Sequence, residues 1–119
     1  MSNAITYPEL VAILSKSGAD ILASLTPEKV HAWHMATGVA GEAGEVLDEV
    51  KKFIIYEKPE DRDKVIKEMG DLEFYLEGLR QGMGITREEV LQGNIEKLSK
   101  RYAGLQYKNE AAVAQADKN

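Results

Sequence analysis

The chain of 119 residues predicts an all-α domain. Three observations carry this: apolar residues recur at three- and four-residue steps, no stretch alternates with period two, and each proline stands just ahead of an amphipathic run. Proline fits the first turn of a helix, where its missing N–H has no partner to lose, and is disfavoured in the interior. Pro8, Pro27 and Pro59 therefore read as starts, and they predict helices over about 7–18, 27–56 and 60–82. A fourth opens at Thr86, because Thr86-Arg87-Glu88-Glu89 has the form of a capping box, with the hydroxyl accepting from the Glu89 amide and the carboxylate reaching back. It should run to about Arg101, with Gly82-Met83-Gly84 supplying the break before it. Four such helices make a four-helix-bundle-type core within a single domain over 1–104, followed by a polar, alanine-rich tail over 105–119 with little to bury.

Composition narrows the function classes. A net charge of -5 leaves no basic stripe for a phosphate backbone, so no nucleic-acid polymer is expected as partner. No apolar run approaches the length of a membrane span, and the N-terminus lacks the basic-then-apolar layout of a signal peptide. The absence of cysteine removes disulfides, thiolate metal sites and thiol nucleophiles together, and cytoplasmic residence is the expectation. A chain this short also gains from self-association.

Chemistry enters with four carboxylates in two pairs, Glu42-x-x-Glu45 and Glu68-x-x-Asp71. A three-residue step puts both members of a pair on one helix face. Negative charges gathered in one place must take up protons or bind a cation, and oxygen-only donors select a hard divalent ion, Mg²⁺ or Mn²⁺, rather than zinc. At about 100° per residue, Met35, Val39, Ala43, Val46, Val50, Phe53 and Ile54 fall on one arc of the second helix, with His31, Gly38, Glu42, Glu45, Glu49 and Lys52 along its flank. In the third helix, Val65, Met69, Leu72, Leu76, Leu79 and Met83 form the arc, flanked by Lys64, Glu68, Asp71 and Tyr75. Packing through the two arcs would bring the carboxylates together at one edge of the seam. Acidic pairs on a helix flank are usually just solvated. Here Gly38, Gly41, Gly44 and Gly70 each weaken a helix by about 1 kcal/mol relative to alanine, which suggests close approach to the backbone. The fourth helix adds donors on one face, Asn94, Lys97 and Arg101, suited to a polyphosphate. Trp33, His34, Phe74 and Tyr75 are candidates to stack on a base. Of these, Trp33 and Phe74 read first as core, and Tyr75 lies on the acidic flank.

With these residues assembled, the chain resembles the MazG-like branch of the all-α nucleoside triphosphate pyrophosphohydrolases. The resemblance rests on GEAGEVLDEVKK from Gly41 to Lys52, EMGD from Glu68 to Asp71, and NIEKLSKRY from Asn94 to Tyr102, and it covers about 27–102. One departure is Gly41, which stands where the family pattern begins its glutamate doublet. The resemblance implies Mg²⁺ ligation by Glu42, Glu45, Glu68 and Asp71, with Mn²⁺ as a substitute, and catalysis centred on Glu42, Glu45 and Glu68. It further implies substrate contacts from Lys51 or Lys52, Asn94, Lys97, Arg101 and Tyr102. The expected substrate is an NTP or dNTP, cleaved to the monophosphate and pyrophosphate in a nucleotide-pool housecleaning role. The expected assembly is a homodimer or homotetramer with the bundle completed across the subunit interface.

Two other classes fit less of the sequence. A di-iron carboxylate bundle needs two Glu-x-x-His pairs, and Glu28-x-x-His31 supplies one. A non-catalytic metal- or nucleotide-binding dimerisation module would use the same acidic cluster without turnover.

Overall fold

The computed structural model of the protein describes residues 4–115. It is all-helical: α1 (Tyr7–Leu14), α2 (Gly18–Ser24), α3 (Pro27–Ile54), α4 (Arg62–Met83), α5 (Arg87–Arg101) and α6 (Asn109–Ala114). The all-α expectation holds, and the starts lie where proline and capping chemistry put them. Thr26 accepts from the Lys29 amide ahead of Pro27 (3.2 Å), Asp61 from the Lys64 amide (3.1 Å), and Thr86 from the Glu89 amide (3.1 Å). Gly84 closes α4 in the left-handed region at φ 68°, where a side chain would be strained.

The first predicted helix, over about 7–18, ends at Leu14, and α2 begins at Gly18 in a stretch where no helix was expected. The Ser15 hydroxyl donates to the Val11 carbonyl (2.6 Å), and Ser17 accepts from the Asp20 amide (3.0 Å), so serine chemistry ends one helix and restarts another. Beyond Gly104 lies the alanine-rich tail. Leu105–Tyr107 fold back on the end of α5, with the Tyr107 ring 5.5 Å from that of Tyr102, and α6 follows. Residues 116–119 of that tail lie outside the described residues.

α3 and α4 form an antiparallel hairpin, the extensive helix–helix interface among the described residues. Its register is fixed by pairs that step evenly in opposite directions. His31 meets Gly82, Met35 meets Gly78, Gly38 meets Tyr75, Glu42 meets Asp71, and Glu49 meets Lys64. Steps of four and three residues along α3 are the spacing of a coiled-coil seam. The seam therefore runs through the stripe that the wheel assigned to the flank, and this corrects the expected packing. Of the predicted core, Met35 is buried and Val39, Val46, Val50, Phe53, Val65, Leu72, Leu76 and Leu79 are half-buried. Ala43, Ile54, Met69 and Met83 are exposed. The physical reason is glycine. Cβ atoms at Gly38, Gly78 and Gly82 would collide with Tyr75, Met35 and His31, so their absence lets the helices close on this face. Gly41, Gly44 and Gly70, which were expected to mark close approach, have open space around them.

One chain does not close a bundle. Its radius of gyration is 20.6 Å, against about 13–14 Å for a compact domain of this length. Its accessible surface is 9699 Å², against about 6,400 Å² for a folded monomer of this mass. Val90, Leu91 and Ile95 on α5, and Trp33, Leu47, Ile66 and Phe74 on the hairpin, are among the large apolar side chains left exposed.

Candidate active site

The carboxylates sit where the hairpin seam turns from apolar to polar. Glu42 on α3 faces Glu68 and Asp71 on α4, and these three offer oxygens that all lie within 4.8 Å of one another. The step from Glu68 to Asp71 puts both on the α4 stripe that fronts α3, and Glu42 is the seam residue opposite. Half-buried, Glu42 has its pKa raised above the ordinary 4.5, first by lost solvation and then by the charges of Asp71, Glu68 and Glu45. A cation would relieve that strain, and three hard oxygen donors suit a hard divalent ion. Glu45, one turn further along α3, is exposed and outside the trio, yet close enough for its charge to act on Glu42.

Aromatic rings stand on one side of the trio. Tyr75, seated on Gly38, lines a cavity of about 350 Å³ together with Glu42, Asp71 and Phe74. Its ring meets Phe74 edge-on at 5.2 Å and His34 at 6.2 Å. Phe74, read from sequence as core, is 68% exposed and belongs to this aromatic group. Trp33 is 63% exposed and takes no part in that group.

Cationic groups stand on the other side. Lys52 donates to Glu49 Oε1 at 2.7 Å, and Lys64 Nζ lies 3.4 Å from the same oxygen. Glu49 is only 7% exposed. The Lys52 hydrogen bond leads in holding its pKa below the ordinary range, and the same bond raises that of Lys52. Lys51 points elsewhere, with its ammonium 5.5 Å from the centre of the Tyr56 ring.

Among the described residues, α5 makes no extensive interface with α3 or α4. Asn94 and Lys97 are exposed, and Arg101 is half-buried and engaged. Tyr102 lines an apolar concavity with Leu98, Leu105 and Tyr107. The Glu28–His31 pair of the di-iron alternative is also placed elsewhere: His31 Nε2 lies 3.0 Å from the Gly78 carbonyl, locking the far end of the seam. The periodicity revealed the carboxylate stripe. It did not reveal Glu49 and Lys64 as partners, because that pairing depends on the hairpin register.

Comparison with known proteins fits this arrangement. The family model of the MazG nucleotide pyrophosphohydrolase domain matches residues 32–105, which contain both carboxylate pairs and α5. The chain is also similar to the Gene 37 protein of Mycobacterium phage L5, with 34% identity over 73 residues. That alignment covers 57% of this chain and 63% of the phage protein, so the chain spans less than two thirds of that relative. No solved structure matches it.

Proposed function

Because the chain belongs to the MazG nucleotide pyrophosphohydrolase domain family, we propose that it cleaves nucleoside triphosphates, ribo or deoxy, to the monophosphate and pyrophosphate in a Mg²⁺-dependent reaction. The observation that carries this reading is the meeting of Glu42, Glu68 and Asp71 within 4.8 Å inside the matched segment. Glu45 joins them as the fourth proposed ligand. When bound, Mg²⁺ or Mn²⁺ would supply the positive charge that lets a triphosphate share one place with a row of carboxylates.

The side chains divide the remaining work. Glu42 or Glu45 accepts the proton of a water attacking the α-phosphorus in line. Tyr75, with His34 and Phe74 against it, provides the aromatic surface for the nucleoside. Lys52 faces the phosphates from α3, and Asn94, Lys97, Arg101 and Tyr102 contribute donors to the departing oxygens. Because α5 makes no extensive interface with the hairpin of its own chain among the described residues, a second copy of the chain would deliver those donors. Exposed apolar residues on α5 and the hairpin, and an accessible surface about half again that of a closed monomer, support a homodimer or homotetramer. Trp33 and Lys51, both away from the trio, would act only across such an interface. Small soluble nucleotides as substrates accord with cytoplasmic residence, and no described helix is long and apolar enough to cross a membrane.

The test is pyrophosphate release from a panel of NTPs and dNTPs with Mg²⁺, comparing the natural chain with Glu68→Gln. We expect a loss of about a hundredfold or more, since even outer-shell partners of a metal are worth 10–100-fold. An unchanged rate removes Glu68 from the chemistry. Metal-dependent nucleotide binding without turnover in the natural chain would favour the non-catalytic module instead.

A further inference from the structure

We propose that the N-terminal arm formed by α1 and α2 docks on a second copy of this chain, across the apolar side of its α5. The arm lies ahead of the matched segment 32–105, and its docking does not depend on the hydrolysis argued above. Its sequence is built to be covered. Tyr7, Leu10, Val11 and Leu14 share one face of α1 at three- and four-residue spacing, and Ile21 and Leu22 follow on α2; all six are exposed. Both helices are short, 8 and 7 residues, and isolated helices below about 12 residues are marginal in water without a surface to pack on. Thr6 accepts from the Glu9 amide at 3.3 Å and Ser17 from the Asp20 amide at 3.0 Å. Such caps fix where the two helices begin but bury no apolar surface. Among the described residues the extensive helix–helix interface is that of α3 with α4, so the arm is not covered to a like extent within its own chain.

Three observations make the occupant a second copy. The accessible surface of 9699 Å² exceeds the roughly 6,400 Å² of a closed monomer by several times the roughly 800 Å² that each partner buries in a standard interface. A surplus on that scale fits an obligate assembly in which a segment is exchanged. An acceptor of matching character also exists in the same chain. The end of α5 carries an apolar concavity of about 340 Å³ lined by Ile95, Leu98, Tyr102 and Tyr107, and exposed Leu91 extends it one turn back. Finally, the charged residues of the arm are Glu9, Lys16 and Asp20, which provide no basic face for anionic lipid or nucleic acid. A two-fold exchange sets two arms on two α5 faces and leaves neither open.

The experiment uses the full chain in two ways. Sedimentation equilibrium compares the natural sequence with Leu14→Asp on the apolar face of α1 and Glu9→Gln on the opposite side. Leu14→Asp should weaken self-association about thirtyfold or more, the loss that marks an interface hot spot, while Glu9→Gln should sediment like the natural chain. The second readout does not rely on Leu14→Asp keeping its fold. Because the chain has no cysteine, Leu14→Cys and Ile95→Cys chains, co-expressed and treated with a short bismaleimide, report one contact between copies. A covalently linked dimer should form in the mixture and not in either single-variant protein. The proposal is overturned if the natural chain sediments as a monomer, if Leu14→Asp associates undiminished, or if the mixture gives no linked dimer. Neither readout involves nucleotide or metal. Failure here leaves the hydrolysis untouched, and a chain that hydrolyses nothing can still show the docked arm.

Discussion

At the scale of single residues, the seam carries two carboxylates driven in opposite directions. Glu42 is pushed up by lost solvation and by Asp71, Glu68 and Glu45. Its ionised form is thus the unfavourable one in the metal-free fold, and its stability contribution grows as pH falls through the raised value. Glu42→Gln should therefore melt higher than the natural chain at neutral pH in chelator, yet gain less from added Mg²⁺. Equal melting temperatures under both conditions would show that no charge strain exists there. Glu49 is the reverse case, held below its ordinary 4.5 by Lys52 first and then by Lys64. Its contribution is fully present above that value and is lost as pH falls through the depressed one. The Lys52 contribution is present below its ordinary 10.5 and disappears as pH rises through the raised value. Glu49→Gln should lower the melting temperature across the neutral window and flatten its fall on acidification, whereas a parallel acid limb would leave the ion pair without thermodynamic weight. Sequence spacing exposed the Glu42 stripe because helical period alone fixes it. It could not expose the role of Glu49, which depends on what stands across the seam.

At the scale of elements, helix starts were legible because Pro27, Thr26 and Thr86 act on their own neighbours within one turn. The break between α1 and α2 was equally local, carried by Ser15 and Ser17, which a single helix read over 7–18 had absorbed. Which face packs was less legible. A wheel ranks faces by hydropathy, whereas here the decisive property is the missing Cβ at Gly38, Gly78 and Gly82. Gly38→Ala should destabilise the hairpin, because overpacking against Tyr75 costs about 1–3 kcal/mol and helix propensity returns only about 1 kcal/mol. Gly70→Ala, in open space, should stabilise by up to about 1 kcal/mol. Denaturant unfolding of both variants checks the pair, and a stable Gly38→Ala would mean that the helices do not meet through this seam. Gly41 and Gly44 are also open in the single chain. Loss of stability in their alanine variants would place a second copy against them.

At the scale of the whole molecule, a hairpin with Met35 as its buried apolar side chain removes little apolar surface from water for the chain it orders. The α5 face bearing Val90, Leu91 and Ile95 is left about half exposed by the described residues. Ile95→Asp should shift the protein toward monomer in sedimentation equilibrium and reduce activity without touching a carboxylate. An unchanged assembly would move the interface off α5. Sequence alone specified the long helices and the acidic stripe, whereas what covers the apolar surface left exposed on one chain is not encoded by periodicity within that chain. The most direct measurement is calorimetric titration of a non-hydrolysable dNTP into the natural chain and into Asp71→Asn, each with Mg²⁺ and with chelator. If carboxylates of α3 and α4 share one cation that grips a triphosphate, binding appears only in the natural chain with Mg²⁺ and is severely weakened in Asp71→Asn. Nucleotide binding of equal strength in chelator, or undiminished in the variant, would contradict it.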